Sequence, residues 1–217
     1  MTKRLATHFS VTALSVLSAA LILAAPAMAQ TKPAAKPAAT TTAAPAAAPA
    51  AAAKLIPAQS DIGFTFRQMG VPVEGKFKKF DAQLAFDPKN AAAGKVSFSI
   101  ELGSATIGDA ATDAELVKPD WFDTKKIPTA TFQSTSIKAL GGGKFEVAGK
   151  LSIKGQVHDT VVPVALTQAG GTTTATGAFA MKRLDFKIGD GEWKDTSIVA
   201  NDVQVKFKLA ITGMGPL

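Results

Sequence analysis

The chain has 217 residues, with 24 basic residues against 17 acidic ones, 13 phenylalanines, no tyrosine and no cysteine. Without cysteine, disulfides, thiol chemistry and thiolate metal sites are excluded, so the fold must be held by core burial alone. Five basic residues (Lys3, Arg4, Lys32, Lys36, Lys54) and no acidic one precede Leu55, which leaves 19 against 17 in the remainder, without a basic block, and gives nucleic-acid binding no electrostatic support.

Lys3 and Arg4 open the chain, residues 11–25 form an apolar run, and Ala27-Met28-Ala29 supplies a small-x-small cleavage pattern. Residues 1–29 are therefore expected to be a signal peptide removed on export, which places the mature chain in the periplasm, with a retained anchor as the alternative reading. The run of about fifteen residues is short of the roughly twenty that a spanning helix needs. Residues 30–54 are almost wholly Ala, Pro, Thr and Lys, with nothing to bury, and read as a disordered tether. Residues 55–217 are then one domain, long enough for a real core.

From Leu55 onward apolar and polar residues alternate, the pattern of strands with one buried face. The predicted strands are residues 62–69, 76–86, 95–103, 129–137, 144–154, 159–168, 172–183 and 203–212. In the third, Val96, Phe98, Ile100 and Leu102 oppose Ser97, Ser99 and Glu101; in the last, Val203, Val205, Phe207 and Leu209 oppose Gln204, Lys206 and Lys208. Turn residues separate them at Asp87-Pro88-Lys89-Asn90, Gly141-Gly142-Gly143 and Gly170-Gly171. The one helical stretch is Gly108–Lys118. This is an all-β antiparallel meander of eight strands and one short helix. Closure into a barrel would remove its two open edges, and a barrel of about eight strands encloses side chains or one small ligand. A β-sandwich is the other all-β architecture open to it.

A set of short blocks runs through the domain: Ser60-x-Ile62-x-Phe64, Val73-x-Gly75-x-Phe77-x-x-Phe80, Trp121-Phe122-Asp123, Pro128-x-Ala130-x-Phe132-x-Ser134, Gly149-x-Leu151-x-Ile153-x-Gly155 and Arg183-x-Asp185-Phe186. In their order and spacing the domain resembles the YceI-like proteins. The resemblance implies a periplasmic lipocalin-like barrel that binds a polyisoprenoid or other lipid without catalysing a reaction. At Gln68, Thr112 and Glu115 the family commonly has His, Arg and His, so the resemblance points here to a fatty acid, amide, quinone or neutral isoprenoid rather than a pyrophosphate. The stretch Ile188-Gly189-Asp190-Gly191-Glu192-Trp193 looks like the branch that accompanies membrane cytochrome b561 domains. An interaction module serving such a b-type cytochrome and quinone partner is the alternative function.

Past residue 29 the only histidine is His158, in a turn-like stretch, so neither a zinc ligand set nor a Ser-His-Asp triad can be built. No catalytic residue, metal ligand or cofactor is assigned. Asp109, Asp113, Glu115, Asp120 and Asp123 lack the spacing of a calcium loop and read as helix capping and solvation. Arg183 and Asp185 would share a face if their strand continued, either as a charge pair orienting a ligand's polar end or as an outer structural pair. Phe64, Phe66, Phe98, Phe132, Phe179 and Phe207 fall on strands. The residues alone suit a filled core; the resemblance implies that these rings, with Ile100 and Val205, line a lipid tunnel.

Overall fold

The alternating segments pair with their sequence neighbours in a computed structural model that describes residues 53–217; the expected signal peptide and residues 30–52 of the expected tether lie outside the described residues. The strands are β1 (Ala53–Leu55), β2 (Asp61–Gln68), β3 (Val71–Phe77), β4 (Phe80–Ala85), β5 (Lys95–Glu101), β6 (Ala105–Thr106), β7 (Thr129–Gly141), β8 (Lys144–Ile153), β9 (Gln156–Ala169), β10 (Thr172–Lys182) and β11 (Asp202–Thr212), with one helix, α1 (Ala110–Leu116). All pairings are antiparallel. Gly170 and Gly171, at φ 56° and 79°, make a two-residue turn between β9 and β10, the left-handed geometry that matches the twist of a hairpin.

The sheet closes because β1 pairs with both β4 and β11. The ring β1-β4-β5-β7-β8-β9-β10-β11 is an eight-stranded antiparallel barrel, as expected, and the sandwich is excluded. Strands β2 and β3 lengthen one side of the wall: β2 lies along the first half of β11 and β3 along β2. The bend between β1 and β2 is held by Ser60, whose hydroxyl donates to Ile56 O (2.8 Å) and accepts from Ala210 N (2.9 Å).

Three expectations need correction here. Ala53 and Lys54, placed in the tether, form β1: Ala53 is 6% exposed against Leu84, and Lys54 pairs with Thr212. An alanine at a tight closure point has no bulk with which to stand out from an alanine-rich approach. The predicted strand 76–86 is two strands, broken at Lys78 and Lys79, and its first half begins at Val71. Pro72 disguised that start, yet β3 is an edge over Val71–Gly75, where a proline costs the sheet little. The third is that β10 ends at Lys182, so Arg183 and Asp185 lie on a 3-10 turn, Arg183–Phe186, and do not share a strand face.

Helix α1 packs Leu116 among Leu102, Phe122 and Phe186 at one end of the barrel. Its N-cap Asp109 accepts from Thr112 N (2.8 Å), while Asp113 ties the helix to the wall by accepting from Thr106 Oγ1 (2.5 Å) and Ile107 N (2.8 Å). No helix among the described residues is long and apolar enough to cross a membrane.

Candidate functional site

Strand alternation sends one set of side chains from every strand into the barrel, and they do not fill it. The interior holds two adjacent apolar lobes of about 140 and 100 Å³, which share Ile62, Ile100, Leu151, Phe179 and Val205 as walls. Phe98, Phe132 and Phe207 face the first lobe, and Phe64 and Phe66 the second. Register brings them together: Phe98 lies opposite Phe132, Val205 opposite both Phe179 and Phe64, and Phe207 opposite Ile62. Phe98, Ile100, Phe132, Phe179, Val205 and Phe207 are only partly buried although they point inward, because their inner surfaces meet the cavity rather than other side chains. Interiors normally pack as densely as organic crystals, so this unfilled space is a property of the site.

Aromatic contacts run along the wall. Phe64 and Phe77 have ring centroids 5.2 Å apart, Phe77 and Phe122 lie at 6.1 Å, and Phe86 meets Phe145 edge-on at 5.3 Å. Phe86 and Phe145 line the first lobe and were absent from the predicted site, although Phe145 stands in plain alternation with Val147. Trp121 lines the second lobe, and its ring centroid is 5.5 Å from that of Trp193. Its Nε1 is the one buried side-chain donor without a partner among the described residues.

Arg183 borders the second lobe but is not poised to receive a ligand. It is 2% exposed, and its Nε donates to Ala200 O (3.1 Å), Nη1 to Ile188 O (2.9 Å) and Gly189 O (2.8 Å), and Nη2 to Trp193 O (2.6 Å) and Val199 O (2.7 Å). These five bonds use all five guanidinium N–H groups. Burial pushes its pKa below the ordinary arginine value. Asp185 is exposed and outside both lobes, and its carbonyl accepts from His158 Nε2 (3.0 Å). The Arg183–Asp185 charge pair is therefore overturned in both of its forms, because the arginine is spent on loop carbonyls.

His158 lies on β9 opposite Leu151, not in a turn, and packs edge-on against Phe186 at 4.7 Å. Among the acidic residues, Asp109 and Asp113 act as capping and tethering groups; the hydroxyls of Thr112 and Thr106 respectively are the main cause holding their carboxyls below the usual range. No cluster of three or more metal-ligating side chains occurs among the described residues. A wider depression of about 590 Å³ lies on the outer wall, where Lys76, Lys78, Lys206 and Lys208 face Asp61 and Glu74. It is more open than the lumen and rimmed by these charged side chains, so the enclosed lumen is the better site for an apolar ligand.

The family model described as a YceI-like domain matches residues 54–211. A UPF0312 protein of Photorhabdus laumondii is 33% identical over 146 residues, 63% of this chain and 76% of its own length. UPF0312 proteins of Vibrio cholerae are 33% identical over 114 residues, and the match spans 60% of their length. Among solved structures, BcnA of Burkholderia cenocepacia is 46% identical with a TM-score of 0.70, the match covering 72% of this chain and 98% of that one. A domain of Saccharophagus degradans described as polyisoprenoid-binding shares the fold at 17% identity and a TM-score of 0.60, covering 75% of this chain and 98% of its own.

Proposed function

The chain belongs to the YceI-like domain family, and on that premise we propose that its barrel binds, stores or shuttles one hydrophobic chain molecule without catalysing a reaction on it. The observation that carries this reading is the unfilled lumen, whose first lobe has only apolar side chains for walls and whose second is apolar except where Arg183 and the Trp121 indole border it. Each methylene withdrawn from water contributes about 0.8 kcal/mol, so a long chain binds well without a specific polar contact. An apolar cavity of about 150 Å³ holds a benzene-sized molecule and stays dry. Each lobe is of that order, so the two end to end take a short run of chain. The polyisoprenoid-binding description of the Saccharophagus degradans domain supports the same ligand class.

The ligand's polar end is uncharged on this reading. Arg183 is the cation bordering the lumen, and every one of its N–H groups is committed to a backbone carbonyl. An amide, a quinone or a neutral isoprenoid suits such a wall, and a pyrophosphate does not. The place of action is the periplasm, reached by cleavage after Ala29, in keeping with the basic start and apolar run of residues 1–29.

Strand β11 supplies a test with its own control. Phe207→Glu places a carboxylate in the lumen and should abolish lipid retention in purified protein, whereas Lys206→Glu on the outer face should leave it intact. A folded Phe207→Glu variant that still carries lipid, while Lys206→Glu loses it, would overturn the assignment of the lumen.

A further inference from the structure

Three of the lumen's phenylalanine rings end on a glycine of the neighbouring strand. A Cβ placed on Gly75 would lie 2.3 Å from Phe64 Cζ, one on Gly177 would lie 2.3 Å from Phe207 Cζ, and one on Gly149 would lie 2.5 Å from Phe132 Cζ. Phe64 is the direct cross-strand partner of Gly75 and Phe207 of Gly177, while Gly149 pairs with Ser134, two residues along from Phe132. None of the three glycines has a positive φ, so no turn or left-handed backbone requires a glycine there. Each ring instead reaches sideways across its neighbour and lies against the barrel wall, its tip in the notch left by the missing side chain. Without that notch, the ring would have to swing toward the barrel axis.

We infer that Gly75, Gly149 and Gly177 determine specificity by setting the bore of the lumen, keeping it wide enough for a methyl-branched chain of the isoprenoid class. The inference rests on the proposed binding of a hydrophobic chain. The three rings belong to both lobes, Phe132 and Phe207 to the first and Phe64 to the second, so the notches act along the whole cavity. A polymethylene chain is narrower than one bearing a methyl on every fourth carbon. A ring displaced inward therefore obstructs the branched chain first. The glycines touch no ligand themselves; they act through the rings that they accommodate.

Gly75 is the position at which to test this. At all three a main-chain oxygen also crowds the notch, Gln133 O at 2.5 Å for Gly149 and Pro163 O at 2.6 Å for Gly177, and least of all at Gly75, where Thr106 O is at 2.9 Å. The probes are hexadecanol and phytanol, which is the same chain with four methyl branches, each measured by displacement of a fluorescent alkyl probe from the full domain. Gly75→Ala should weaken phytanol relative to hexadecanol by roughly tenfold, and adding Phe64→Leu should restore the ratio, because leucine does not reach the notch. Phe64→Trp, which keeps the glycine but overfills the notch, should shift the ratio in the same direction and decides the matter if Gly75→Ala does not fold. An unchanged ratio in the folded variants overturns the inference while leaving lipid binding in place. Failure of the wild-type protein to bind either alcohol overturns the lipid-binding reading itself, and the inference with it.

Discussion

Replacing Arg183 by lysine keeps the charge and removes the fork. The guanidinium meets five carbonyls, those of Ile188, Gly189, Trp193, Val199 and Ala200, and thereby gathers the segment between β10 and β11 around one buried group. An ammonium has three N–H donors, so at least two of the five carbonyls lose their partner. A buried polar group left unmet costs about 1–3 kcal/mol, which makes the loss about 2–6 kcal/mol. That is a large share of a typical domain stability of about 5–15 kcal/mol. For a domain of this size the thermal midpoint should fall by roughly 5–20 °C, as read by circular dichroism on the purified domain. Asp185→Asn is the matched control: the side chain is exposed and forms no ion pair among the described residues, so its midpoint should stay near that of wild type. A lysine variant within about 2 °C of wild type would refute the claim that this network holds the loop. An equal loss in both variants would restore the charge pair.

Two further outcomes concern the N-terminal residues. Deletion through Ala52 should leave the thermal midpoint unchanged, since residues 30–52 carry no apolar periodicity, whereas deletion through Leu55 removes the strand joining β4 to β11 and should lower it by several degrees; equal midpoints would contradict the closing role of β1. Intact-mass measurement of the exported chain should show loss of residues 1–29, and a full-length species confined to membranes would contradict cleavage.

How much was legible in the sequence follows from what local pattern encodes. Val96, Phe98 and Ile100 announce both their strand and their face, because a half-buried strand must alternate, and the same holds for Val205 and Phe207. Closure was inferred from the need to avoid open edges, yet the strand that closes the ring escaped notice, since Ala53 is distinguished only by its partners Leu84 and, through β1, Ile211. Val71–Gly75 escaped because Pro72 reads as a break until its edge position is known. Arg183 and Asp185 were placed on one face by a spacing that holds only while a strand continues. The chain turns at Arg183, and nothing in a single sequence shows that five backbone carbonyls converge there. The glycine notches were equally hidden: Gly75, Gly149 and Gly177 read as weak strand residues until Phe64, Phe132 and Phe207 are seen lying over them.

The central claim is that the lumen holds a hydrophobic chain, and denaturing extraction of the purified protein followed by mass spectrometry of the extract tests it most directly. The account predicts a co-purifying apolar molecule near one equivalent per barrel, with a polymethylene or isoprenoid mass pattern and no phosphate, lost in the Phe207→Glu variant. Protein that is compact, stable and free of lipid, and that takes up neither hexadecanol nor phytanol at micromolar concentration, would contradict it, and the barrel interior would then be a loosely packed core.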